Sequence, residues 1–341
     1  MKRRFCDNKI NSFKTNPRVS AKTEPDIRSL LAAAHEKRIP IMPLAAYRLF
    51  NSEYDGLKGL VIDIYNDSAA VSWYLESALA KKEKIIDALV SKLPVTSVYE
   101  LYRFKSPGAP QNYNHIYGGK MDEFFTVRER SAEFLCSYDH GQNTGFFIDN
   151  RANRDILFKM AAGKKTLNLF SYTGVLSVVA ASGGAGEVTS VDISPAYNRW
   201  ARRNLELNGF GEFAQKVLDF DALEYMNFCA KKNKKFDLVI LDPPPFAARL
   251  AGKVFSAGKD YRRLVDAALK IVSKNSVILA LCNMAEYDRR DFALMLHEAV
   301  RESGAAAGFK ITAGPPMPPD FKCDPGDKKL NYLKNYYIEV Y

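Results

Sequence analysis

Residues 166–192 constrain the fold more than any other stretch. Leu167 and Leu169 lie in a short apolar run bounded by lysine and glycine, which predicts a buried strand of a parallel sheet. The chain then turns through Ser171, Tyr172, Thr173 and Gly174, carries small and apolar residues at helical spacing over 175–181, and returns as a second strand over 188–191 that ends at Asp192. Such a strand-helix-strand unit is of the nucleotide-binding kind, and a carboxylate at the end of its second strand can accept hydrogen bonds from both ribose hydroxyls. The alternation continues: a helix over 195–208 closed by Gly209, a strand through Val217 and Leu218, a strand over 236–241, a helix over 262–272, a strand over 277–282, a helix over 289–303, and a last strand within 332–340 after a Pro-rich loop, 314–325. The expected class is α/β, a Rossmann-like doubly wound sheet.

The turn discriminates among nucleotides. A dinucleotide brings a pyrophosphate against bare backbone at a helix N-terminus, usually with three glycines in G-x-G-x-x-G. Here Gly174 stands among bulkier residues, which argues against an NAD-dependent dehydrogenase. S-adenosylmethionine has no phosphate, so one glycine beside its methionine part is sufficient; another adenosine ligand, or a βαβ unit without cofactor, stays open at this point. Just before the first sheet strand, residues 139–154 place polar side chains between Gly141 and Gly145. This segment can fold over the strand's carboxyl end, where Gln142 and Thr144 would offer hydrogen bonds and Phe146 an apolar wall; a polar interdomain linker is the alternative. Asp221, just before the next helix, is a candidate acceptor for the adenine amino group.

A chain of 341 residues suggests two domains with a core each, and 47% hydrophobic residues exclude a disordered class. The net charge of +10 is uneven, because residues 1–40 carry ten Lys or Arg against four Asp or Glu. A basic arm suits a polyanion such as nucleic acid, although the same charge can serve solubility alone. Five scattered cysteines without a C-x-x-C pair and four dispersed histidines argue against disulfides and against a metal site, and fit a reducing cytoplasm. No apolar run approaches the ~20 residues that span a bilayer, so no membrane partner is expected. Residues 1–39 read as a basic arm with a helix over 25–38, residues 40–138 as a small accessory α+β domain, and residues 139–341 as the cofactor domain. In the small domain, strands over 60–65 and 69–75 flank an Asn66-Asp67 turn, a lysine-faced helix spans 78–93, further strands fall in 97–104 and 124–138, and 105–119 reads as an exposed loop.

Ligands of an open parallel sheet bind beyond the carboxyl ends of its strands. Asp242 and Cys282 close two strands expected to be neighbours, and are therefore expected to face one pocket. Pro243 and Pro244 stiffen the backbone and, with Phe246, suit a slot for a planar substrate. A thiolate there can add to C6 of cytosine, which makes C5 nucleophilic enough to take a sulfonium methyl; loss of the C5 proton and expulsion of the thiolate release product. Asp242 would share a proton with N3. Free cysteine is also a common core residue, so nucleophile and core filler both stay open.

Together these residues resemble the class I S-adenosylmethionine-dependent methyltransferases that modify 23S ribosomal RNA. The resemblance spans roughly residues 44–341. It rests on Tyr-Arg-Leu at 47–49 with Asp-Gly-Leu-Lys-Gly-Leu-Val-Ile-Asp at 55–63, on Gly-Gln-Asn-Thr-Gly-Phe-Phe-Ile-Asp at 141–149 with Arg151, on Asn-Leu-Phe-Ser-Tyr-Thr-Gly at 168–174, on Val-Asp-Ile-Ser at 191–194, and on Asp-Pro-Pro at 242–244. It implies S-adenosylmethionine as cofactor, held by the motifs that contain Asn168, Phe170, Ser171, Tyr172, Thr173, Gly174, Asp192 and Ile193, with Arg151 on the substrate side and ribosomal RNA as partner. Cytosine-5 members typically begin with a PUA domain, for which the ~40 residues before the match are too few. They also carry Ser-Cys-Ser where this chain has Leu281-Cys282-Asn283, whereas the guanine-N7 branch has Asn at the matching position and looks closer over 196–204 and 255–260. The expectation is methylation of cytosine C5 through a Cys282 adduct. Non-covalent guanine-N7 methylation and a non-catalytic RNA-binding protein are the alternatives, and homodimerisation stays open.

Overall fold

The computed structural model describes residues 26–104, 112–250, 253–285, 287–304, 308–324, 326–327 and 330–341, without the side chains of 246–254. Expectations for residues 1–25 and 105–111 lie outside the described residues.

Helix α1 (Ile27–Arg38) starts at Asp26, whose carboxylate accepts the Ser29 N–H, and buries Ile27, Leu31 and Ala34 along one stripe. It covers a five-stranded sheet in the order β1 (Ala46–Asn51), β2 (Leu60–Tyr65), β3 (Ser68–Trp73), β4 (Ser97–Tyr102), β5 (Asn114–Gly118). The β2–β3 hairpin turns at Asn66, whose φ of +55° suits a residue tolerant of the left-handed region. Two helices, α2 (Glu76–Leu79) and α3 (Lys82–Lys92), replace the single helix expected over 78–93. Strand β5 occupies part of the stretch read as loop and pairs antiparallel with β4. Ile27 and Leu31 share a core with Leu49, Ile62, Trp73 and Leu89, so α1 is packed into the small domain.

The hairpin β6 (Phe125–Glu129) and β7 (Ala132–Cys136), read as part of the small domain, is bonded to the second one. Asn204 and Asn208 of helix α6 (Pro195–Leu207) and the turn after it accept the N–H groups of Leu135 (2.8 Å) and Glu133 (2.9 Å).

The second domain runs through α4 (Arg151–Met160), β8 (Lys165–Leu169), α5 (Val175–Ser182), β9 (Glu187–Asp192), α6, α7 (Gly211–Ala214), β10 (Val217–Asp219), α8 (Ala222–Lys231), β11 (Phe236–Leu241), a hairpin β12 (Phe246–Leu250) and β13 (Lys253–Ser256), α9 (Ala257–Leu269), β14 (Val272–Cys282), α10 (Arg289–Ser303), β15 (Phe309–Ala313) and β16 (Lys334–Val340). Its seven-stranded sheet has the order β10-β9-β8-β11-β14-β16-β15; the first five strands are parallel, and β16 inserts antiparallel between β14 and β15. Strand order reverses between β8 and β11, the switch point where a doubly wound sheet opens a crevice. Both faces are covered, by α4, α5 and α6 on one side and α8, α9 and α10 on the other, which is why β11 is an unbroken apolar run from Leu238 to Leu241. Helix α9 begins earlier than its apolar period suggests, because Asp260 accepts the Ser256 N–H (3.0 Å) at its start. Among the described residues no helix is long and apolar enough to cross a membrane.

Candidate active site

Strand register decides which residues meet at the sheet's carboxyl rim. Leu238 and Ile240 of β11 enter the core beneath α4–α6, whereas Val239 and Leu241 enter the core beneath α8–α10. On β14, Leu279 and Leu281 belong to the first core, and Ile278, Ala280 and Cys282 to the second. Leu241 pairs with Ala280. Asp242 therefore shares its face with Leu281 and Asn283, and Cys282 faces the other way. Cys282 is fully buried in the cluster that holds Tyr261, Phe292 and Tyr336, and burial pushes its thiol up. The expectation that Asp242 and Cys282 face one pocket is thus corrected: Asn283 borders the same cavities as Asp242.

The larger cavity, about 490 Å³, lies beyond the ends of β8, β9 and β11 and is bordered by Asp192, Ile193, Phe220, Asp221, Asp242 and Pro244. The Tyr172 N–H donates to Asp192 Oδ2 (3.0 Å) and the Ser194 N–H to Oδ1 (2.9 Å), so the carboxylate is fixed while each oxygen keeps lone pairs for a ligand. Burial raises the Asp192 pKa against the pull of these backbone donors. Asp221 borders the cavity and caps α8, its Oδ1 accepting the N–H groups of Leu223 and Glu224. Phe170 and Tyr172 sit at positive φ (+57° and +50°) and both line this cavity. A recess of about 30 Å³ continues under the turn against Asn168, Ser171 and Thr173, where Asn168 Oδ1 and Ser171 Oγ are buried without a hydrogen-bond partner.

The second cavity, about 210 Å³, is wedged between the domains. The small domain contributes Arg48, Asp63, Tyr65, Tyr74, Arg103 and Tyr113, and the second domain contributes Asp149 and Tyr332; Asn143, Phe147, Asp242 and Asn283 border both cavities. Arg48 holds Asp63 through two bonds (2.8 and 3.0 Å), and the Tyr332 hydroxyl donates to Asp149 Oδ2. Burial, with the neighbouring Asp149 charge, pushes Asp242 up to about 7; burial also raises Asp149.

Residues 102–333 match the family described as S-adenosylmethionine-dependent methyltransferase. The chain belongs to this methyltransferase family. A provisionally named large-subunit ribosomal RNA methyltransferase of Bacillus subtilis, YwbD, is 34% identical over 89% of this chain and 76% of that protein. The large-subunit ribosomal RNA methyltransferase I of Aeromonas salmonicida is 31% identical over 81% of this chain and 71% of its own length. A solved methyltransferase complexed with S-adenosylhomocysteine is 31% identical, with a TM-score of 0.79, 92% of this chain and 81% of that one being covered. The resemblance drawn from the motifs is borne out, and S-adenosylmethionine is the cofactor of this family. The larger cavity fits it: a fixed carboxylate suits ribose hydroxyls, apolar and aromatic walls suit adenine, and the orphaned Asn168 and Ser171 atoms suit the polar amino-acid end.

Other expected site residues of the methyltransferase are placed differently. Gln142 is exposed and accepts from Arg103, Thr144 donates to the Tyr65 hydroxyl (2.8 Å), and Phe146 is buried against Arg154. Thr144 and Phe146 border only the interdomain cavity, while their neighbours Asn143 and Phe147 border the cofactor cavity. Gly174 has φ +77°, and an added Cβ would lie 2.8 Å from Ala201 Cβ; it serves the close packing of α5 on α6. Arg151 is bonded to Asp320 of its own domain and, across the domains, to the Ala46 carbonyl, and it lines neither cavity. Pro243 is buried, Pro244 and Pro245 line the cofactor cavity, and the Phe246 side chain lies outside the described atoms. Arg48, Asp63 and Asp149 lie in the motifs that carry the resemblance without an assigned role of their own, Arg103 and Tyr332 lie outside those motifs, and only strand register singles out Asn283.

Proposed function

We propose that this methyltransferase modifies a base of large-subunit ribosomal RNA, and that the base is a guanine methylated at N7 without an enzyme adduct. The names of the relatives support the RNA class. The observation that carries the base is Asn283, rather than Cys282, at the wall shared by the two cavities. Cytosine C5 needs a thiolate within reach of C6, and a thiol buried on the opposite sheet face with its pKa raised does not offer one. Guanine N7 has its own lone pair and needs neither nucleophile nor base.

Bound S-adenosylmethionine supplies an electrophilic methyl. In our reading Asp192 holds the ribose hydroxyls, Phe220 and Asp221 the adenine, and Asn168 and Ser171 the amino-acid end. N7 gains the methyl with its own electron pair, no proton leaves, and the positive charge passes from sulfur to the purine. Asp149 and Asp242 border the cavity that would hold that cation, an electrostatic match to the product. The exposed ring of Tyr74 offers a stacking surface at the same cavity. The test is to incubate purified protein and labelled cofactor with large-subunit rRNA from cells lacking the gene, then identify the labelled nucleoside by mass. 7-Methylguanosine is expected; 5-methylcytidine overturns the base, and no transfer to rRNA overturns the substrate.

A further inference from the structure

We propose that Asp149, oriented by Tyr332, selects guanine in the interdomain cavity by accepting from its 2-amino group and N1–H. This rests on the guanine reading above and adds the residue that makes it specific. Asp149 and Asn283 border the cavity, and each keeps a buried Oδ1 without a hydrogen-bond partner. A buried acceptor left empty is costly, so the cavity favours an occupant that brings donors. Arg103 Nε, also buried and unpartnered at this cavity, supplies one donor in return.

The four bases differ in what they present. Guanine offers two adjacent donors, N1–H and the 2-amino group, beside the O6 acceptor. Cytosine offers one donor beside two acceptors, uracil one donor between two acceptors, and adenine one amino donor beside a ring lone pair. Of the four, guanine alone presents two adjacent donors to a single carboxylate, with O6 beside them for the Arg103 donor. Placement agrees with inventory. Asp242 and Asn283 border both cavities, whereas Asp149 borders the interdomain cavity alone. The 2-amino group lies across the purine from N7, so a guanine with N7 toward the shared wall turns its donor edge away from that wall. The Tyr332 hydroxyl occupies Oδ2 and leaves Oδ1 vacant. Asp63 is neutralised by the Arg48 guanidinium, which binds both of its oxygens, and is the weaker acceptor for this task.

The test uses full-length large-subunit rRNA joined by splinted ligation, with guanine or inosine at the nucleotide found by mass mapping; inosine lacks only the 2-amino group. Wild-type protein is expected to show kcat/KM about 30-fold lower on inosine. Asp149→Ala should fall by a similar factor on guanine and no longer distinguish the two bases, with S-adenosylhomocysteine affinity unchanged. If Asp149→Ala discriminates as well as wild type, the inference fails while the guanine reading stands; mapping to cytosine removes both. Should Asp149→Ala lose cofactor binding, Tyr332→Phe, which keeps the ring, decides: a several-fold loss of discrimination supports the role, and none overturns it.

Discussion

The two cavities that meet at Asp242 are assembled in different ways. The cofactor cavity takes its walls from residues within a few positions of a strand end, such as Asp192 after β9, Phe220 and Asp221 after β10, and Asp242 and Pro244 after β11. The interdomain cavity takes Arg48, Asp63, Arg103, Asp149, Asn283 and Tyr332 from segments spread along most of the chain. Backbone topology alone dictates the first, because a doubly wound sheet brings its carboxyl ends together. The second exists only after two domains have docked, held by contacts such as Arg151 to the Ala46 carbonyl (3.1 Å) and the Arg48 N–H to Asp320 (2.9 Å). Ligand chemistry can thus be local on one side of a reacting centre and long-range on the other.

The largest expected effect separates the two. Asp192→Ala removes the acceptor for two backbone N–H groups and for the ribose, and should weaken S-adenosylhomocysteine binding about 100-fold, ~2.7 kcal/mol, by calorimetry. Arg48→Ala, on the other side, should leave that affinity unchanged. An unaltered affinity in Asp192→Ala would mean that the larger cavity is not the cofactor's.

The contrast also explains what was legible in advance. Apolar periodicity and turn residues delimit strands β2 and β11 and helix α10 to the residue, because these signals are local. They do not delimit strands β5 and β15: both are edge strands with little buried surface, so their pattern resembles loop. The segment 141–149 was placed over the correct strand ends but with the wrong side chains inward, since in extended chain a one-residue shift exchanges the faces. The same arithmetic separates Cys282 from Asn283. Matching strands by where they end, rather than by which residues pair, misses it.

Asp242 borders both cavities, and its ionisation should be visible in stability. Its folded-state pKa of about 7 lies above the ordinary value of 3.8, so the protonated form favours folding. Wild-type protein therefore loses stability as pH rises from about 4 to about 7 and no more beyond. Asp242→Asn lacks this loss and should be more stable than wild type by about 2 kcal/mol at pH 8, half of the ~4 kcal/mol that the full change corresponds to, because the carboxylate is partly open to the cavities. Thermal melts should converge near pH 4 and separate above it; a difference independent of pH would place the ionisation elsewhere.

The smallest expected effect bears on the chemistry. Cys282→Ala removes one sulfur from a closed apolar cluster and should lower stability by about 1 kcal/mol, with methyl transfer to rRNA within about twofold of wild type. Asn283→Ala, one position along β14's exit, should lower transfer far more while leaving the fold intact, because it alters the wall between the cavities. The adjacent pair thus opposes a core residue to a site residue across a single peptide bond. If the order were reversed, with Cys282→Ala abolishing transfer at full cofactor affinity, the sulfur would have to reach the interdomain cavity in the working complex. The end of β14 would then have to twist out of its pairing with Lys334, and the cytosine chemistry would return with it.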